Sequence, residues 1–247
     1  MPIVRRAALL ALAGGLVVGC SGTADDASTL RVFAAASLTD AFTELGEAFE
    51  QDRPDLDVEL AFASSSDLAR QVVEGAPADV YASADTANMD KVTESGAATG
   101  TPVAFASNRA EIIVAPGNPL AISGLEDLAD RDLVVVLCAP EVPCGAYAEE
   151  VFARAGVSVT PDSFEENVRG VVTKVTLGEA DAGIVYRTDV LAADDAASGI
   201  EIPAAVNVVA EYPIATVSTA EAADEFVDFV TSAAGRDVLE SYGFGAP

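Results

Sequence analysis

Two short stretches of this sequence place hydroxyls where a small anion could be gripped. "FASSSDLARQ", Phe62 to Gln71, sets Ser64, Ser65 and Ser66 between an apolar run and a helical pattern. "FAAASLTDAF", Phe33 to Phe42, repeats the arrangement with a single serine, Ser37. A serine at such a junction caps the helix it precedes by accepting a hydrogen bond from a first-turn N–H. That first turn also presents amide N–H groups with no intrahelical partner, and the helix dipole adds partial positive charge. Free amides beside hydroxyls form a ready oxyanion site. Three serines exceed what a cap needs, so one is expected to cap and a neighbour to face a ligand.

Other chemistries are poorly supplied. The chain has no histidine, which removes histidine-based acid–base catalysis, histidine triads and His-ligated metals. A serine hydrolase using Ser37 or Ser65 is the rival reading from another class, and no G-x-S-x-G elbow supports it. Cys138 and Cys144 close "CAPEVPC" without any C-x-x-C spacing, so a zinc or thioredoxin-like reading is poor. In an exported protein a Cys138–Cys144 disulfide is the expectation.

Export follows from the N-terminus. Arg5 and Arg6 precede "AALLALAGGLVV", which is short for a membrane span, and the run ends in "VVGC". This is the pattern of a bacterial lipoprotein signal: residues 1–19 are removed, Cys20 carries the lipid, and residues 20–29 form a polar tether holding the protein at the membrane. Removal takes away two of the 13 basic residues and no acid, leaving 11 against 40, a net charge of −29. Such a chain is a poor partner for nucleic acid or anionic lipid.

The elements that must carry these residues alternate along the chain. "LRVFAAA" reads as a buried strand, and the helix after it puts Leu38, Ala41, Phe42, Leu45 and Phe49 on one face. Ser37 reads as its N-cap, with Asp40 completing an acidic capping box. "DVELAFA" and "ADVYASA" are further strands, each followed by a helix, an order that implies a parallel sheet flanked by helices. "AEIIVAP", "DLVVVLCAP" and "ADAGIVY" read as strands and "SGLEDLAD" as a capped helix. "GAYAEEVFARAG", "ENVRGVVTKVTLGE" and the C-terminal tail are helical, while "VNVVAEYPIATVST" is extended and broken by Pro213. No low-complexity linker interrupts residues 30–247. Two α/β lobes joined by crossing strands fit this pattern, with the ligand cleft at the carboxyl ends of the strands.

The phrases "VFAAASLTDAF", "FASSSDLARQVVEGAPADVYASAD", "VPCGAYAEEVF", "NVRGVVTKV", "ADAGIVYRTDV", "EYPIA" and "YGF" together resemble the molybdate-binding (ModA) family of bacterial ABC importers, over nearly all of Leu30 to Phe244. The resemblance implies a two-lobed periplasmic-binding-protein fold of type II, with residues 30–110 and 215–247 as one lobe and 111–214 as the other. It implies oxyanion contacts from the hydroxyls and amides of Ser37 and Ser65, the amides of Cys144 and Val168, and the phenol of Tyr186. Cys144 stands where the family usually has alanine. The ligand implied is molybdate or tungstate, held without direct side-chain bonds to the metal, with sulfate or another oxyanion as the alternative. A monomer without cofactor or enzymatic activity, delivering its anion to an ABC permease, completes the expectation.

Overall fold

In a computed structural model, the described residues are 28–247. The signal segment and Cys20 lie outside them. The expected tether ends sooner than residue 29, because the first strand, β1 (Ser28–Ala35), already begins at Ser28, whose N–H donates to the Asp55 carbonyl at 3.0 Å.

Strands β1, β2 (Leu56–Ala63) and β3 (Val80–Ala82) are mutually parallel in the order β2-β1-β3. Helices α1 (Thr39–Asp52), α2 (Ser65–Val73) and α3 (Thr86–Glu94) follow them in turn. The long strand β4 (Val103–Val114) then leaves this lobe. Its first half, up to Arg109, pairs antiparallel with β9 (Val209–Thr216), which in turn pairs with β3. Its second half, from Ala110, pairs with β7 (Ala182–Tyr186) and β8 (Ser198–Glu201). One strand thus serves two sheets, and β4 and β9 form the crossing between lobes. In the second lobe β5 (Val135–Cys138) is parallel to both β6 (Ser163–Glu165) and β7. These three are followed by α4 (Pro143–Ala155), α5 (Val168–Thr176) and α6 (Arg187–Ala193). Helices α7 (Glu221–Thr231) and α8 (Ala233–Ser241) return to the first lobe and pack on α1, where Phe49 meets Phe226 edge-on at 5.3 Å.

Three local expectations differ from the structure. Ser37 is not a helix cap: Ala36–Leu38 form a 3₁₀ turn, and α1 starts at Thr39 without a side-chain cap. The tight turn buries Ser37, and the hydroxyl of Thr39 takes the Ala36 carbonyl at 2.7 Å instead. The segment read as a capped helix near Leu125 is a five-residue 3₁₀ turn, Leu125–Ala129, also without a side-chain cap. Pro213 does not break its strand. It lies where β4 bulges between Ala104 and Ala106, a position at which a missing N–H is tolerated.

Candidate functional site

Beyond the carboxyl ends of the parallel strands, the first residues of α2 from one lobe and of α4 and α5 from the other meet across the gap. A small cavity of about 20 Å³ sits there. That is room for a compact ion, well below the ~300–1,000 Å³ of pockets built for organic ligands. The first lobe lines it with Ala35, Ala36, Ser37, Ser64, Ser65 and Ala84, the second with Pro143, Cys144, Asn167, Val168 and Tyr186. All five residues singled out from sequence lie around this one space.

The three serines divide their labour. Ser64 is the N-cap of α2, its Oγ accepting the Asp67 N–H at 3.2 Å and donating to the Asp67 carboxylate at 2.8 Å. That bond, after the pairing with Arg70, holds the Asp67 carboxyl below its usual range. Ser65 is the first residue of α2 and is buried against the cavity. Its Oγ accepts the Ala84 N–H at 2.9 Å, and its carbonyl accepts the Tyr81 hydroxyl at 2.9 Å. With its oxygen engaged as an acceptor, the Ser65 hydroxyl proton is free to donate inward. Ser66 lies 3.2 Å from Ser64 and lines a separate surface hollow with Arg70. So one serine caps, one faces the cavity and one faces outward.

Ser37 is oriented from the far end of the chain. Its Oγ lies 2.9 Å from the hydroxyl of Tyr212 on β9. Either hydroxyl can donate in this pair. Burial pushes the Tyr212 pKa far up, so the phenol keeps its proton, and with Tyr212 as donor the Ser37 proton is available to a ligand.

In the second lobe the donors are mostly amides. Asn167 caps α5 through its side chain, which accepts the Gly170 N–H, and Val168 is the first helical residue. The Val168 side chain is buried in the core, while its N–H belongs to the unpartnered first turn. Pro143 opens α4, suited to a position where no donor is needed, and Cys144 follows it. Cys144 is disulfide-bonded to Cys138 at the end of β5, with Cα atoms 5.7 Å apart. The next residue, Gly145, lets the helix start press on that strand end, since a Cβ there would stand 1.9 Å from the Ala139 carbonyl oxygen.

Tyr186 ends β7 and differs from every other member. Its hydroxyl is buried without a hydrogen-bond partner, although its ring packs edge-on against Tyr147 and Tyr212 at 6.3 and 6.0 Å. Burial raises its pKa well above the ordinary phenol value, so it remains a donor. An orphaned buried donor costs about 1–3 kcal/mol, and an anion in the cavity would satisfy it. Among the described residues, no Lys, Arg, Asp or Glu lines the cavity. Ala84 and Asn167 were not foreseen, although each carried a signal: Ala84 follows the end of a third parallel strand, and Asn before an apolar run is a cap signature.

With the geometry in place, comparison with known proteins is informative. Residues 30–245 match the family model described as bacterial extracellular solute-binding protein. The molybdate-binding protein ModA of Mycobacterium tuberculosis is 44% identical over 230 residues, covering 92% of this chain and 88% of that protein. The periplasmic molybdate-binding protein of Azotobacter vinelandii superposes with a TM-score of 0.77 at 22% identity, over 88% of this chain and 99% of that one. The sulfate-binding protein SubI of Mycobacterium tuberculosis has the same fold, with a TM-score of 0.78 at 17% identity over 88% and 86% of the two chains.

Proposed function

The chain belongs to the bacterial extracellular solute-binding protein family, and on that premise we propose that it captures molybdate, and with it tungstate, for the permease of an ABC importer. One observation carries this reading: donors from both lobes, including the partnerless Tyr186 hydroxyl, surround an ion-sized cavity with no charged lining. The 44% identity to a protein named for molybdate supports it.

The chemistry of the lining favours a fully deprotonated tetrahedral dianion. Molybdate offers only acceptor oxygens, and each charge-assisted hydrogen bond to it contributes about 1.5–3 kcal/mol. Hydrogenphosphate carries an O–H that needs an acceptor, and in a site of donors that group is left unpaired. Sulfate has no such proton, so its exclusion would rest on size: a ring of donors fitted to the longer metal–oxygen bonds leaves some of them beyond the reach of the smaller ion. The acidic surface does not prevent capture, because the field of surface charges decays over about 8 Å at physiological salt, while the local donors act in contact.

The action is capture and delivery, with no bond made or broken. Ser37 and Ser65 hold the anion on one lobe, taken as residues 30–110 with 215–247. Cys144, Val168 and Tyr186 hold it on the other, residues 111–214. Bridging contacts favour the closed arrangement, which the permease would recognise. A monomer anchored outside the cytoplasm through a lipid on Cys20 suits this role. Calorimetric titration of the protein with molybdate, tungstate, sulfate and phosphate tests it. Submicromolar binding of the first two and none of the others is expected. Equal binding of sulfate would make it a general oxyanion receptor, and ester turnover abolished by Ser65→Ala would make it an enzyme.

A further inference from the structure

Arg169 stands immediately after the donor Val168 in the first turn of α5, yet it does not line the cavity. Its guanidinium crosses to the other lobe. Nε donates to the carbonyl of Ala36 at 3.3 Å, and Nη2 pairs with the carboxylate of Asp40 in the first turn of α1. Among the described residues this is the one ion pair that joins the two lobes; the remaining pairs stay within a lobe. On its own lobe the guanidinium faces Asp189, whose Oδ1 is 3.9 Å away, fully buried and without a hydrogen-bond partner.

These partners are not scattered. Ala36 precedes the donor Ser37, Arg169 follows the donor Val168, and Asp189 accepts the backbone N–H of the donor Tyr186 at 3.1 Å through its other oxygen. Three backbone segments that present donors to the cavity are therefore tied to one guanidinium behind it. Both the Arg169–Asp40 and the Arg169–Ala36 contacts lie across the cleft, so parting the lobes pulls on them.

Resting on the function proposed above, we propose that Arg169 is the clasp that holds the lobes shut over the bound anion, with Asp40 as its catch. It acts on release rather than on first encounter, since the contacts form only as the lobes meet. Asp189 retains the guanidinium when the lobes part, which keeps it aimed for the next closure. Arg169 is thus a positioning residue that never touches the ligand.

Stopped-flow release and calorimetry on the whole protein test the clasp, using whichever oxyanion of the four the wild type binds. Arg169→Gln and Asp40→Asn are each expected to speed release by roughly three- to tenfold, with capture rates unchanged, as suits a half-buried ion pair. The double variant should be no faster than the worse single one, because both remove the same contact. Arg169→Lys should recover part of the loss. Wild-type rates in both variants, or losses that simply add, would overturn the clasp while leaving the oxyanion site intact. A wild type that binds none of the four anions would instead overturn the reading of the site, and the clasp with it.

Discussion

The two halves of the cavity hold their donors in opposite ways. In the first lobe the donors are serine hydroxyls already braced by protein: Ser65 by the Ala84 amide, Ser37 by Tyr212. In the second they are helix-terminal amides, plus a phenol with nothing to bond. A braced hydroxyl is aimed whether or not a ligand is present, so the first lobe offers a preformed seat. An orphaned donor makes the empty closed state unfavourable and the filled one favourable, which is the differential interaction that links binding to closure. The seat and the trigger are thus assigned to different lobes.

The largest test of that division is Ser65→Ala. It removes a charge-assisted donor and also orphans the Ala84 amide, so affinity should fall by about 10- to 150-fold. The ligand-free melting temperature should drop as well, by a few degrees per kcal/mol. Tyr186→Phe should weaken anion binding by about tenfold, the lower end of the same range, but leave melting of the ligand-free protein unchanged or higher, because no internal bond is lost. Calorimetry and thermal melts of both variants read the contrast. Equal destabilisation by the two would erase it.

A smaller effect is expected from replacing Cys138 and Cys144 together by alanine. The amide at position 144 survives, and only the tie between β5 and the start of α4 is lost, so affinity should fall a few-fold through reduced preorganisation. Mass measurement after alkylation checks the bridge itself. A separate effect, on stability against pH rather than on affinity, concerns Asp189, whose carboxyl burial pushes up to about 7, against the opposing pull of Arg169 and the Tyr186 N–H and with added push from Asp40. A carboxyl raised on folding contributes stability below its unfolded pKa, near 3.8, and loses it as pH rises through the folded value. Asp189→Asn should therefore flatten the decline in stability between about pH 4 and 7, as read from melts across that range. A slope identical to wild type would place Asp189 outside that titration.

Much of this site was legible without coordinates, but unevenly. The strand–helix alternation around Ser37 and Ser65 and the helix carrying Val168 followed from local periodicity. The expectation that one of three serines caps while a neighbour faces the ligand followed from capping rules. Ser65 itself was singled out by the resemblance, and the three-residue strand before Val168 is too short for periodicity to show. The reading of Ser37 as a cap went astray because a 3₁₀ turn and a helix start share the same local residues. Only the contact with Tyr212, 175 positions away, shows where that hydroxyl sits. Strand β4 was read only in its second half, since its first half, "VAFASNRA", alternates weakly and owes its extension to pairing with β9.

By itself the sequence determined the donor chemistry. A chain without histidine, with serines and free helix starts after its strands, can offer an anion hydroxyls and amides, because caps and periodicity act over a few residues. Tertiary structure decided which of those donors meet, that Tyr186 is left without a partner, and that Arg169 reaches across to Asp40. Those outcomes depend on contacts between residues more than a hundred positions apart, which local pattern cannot specify.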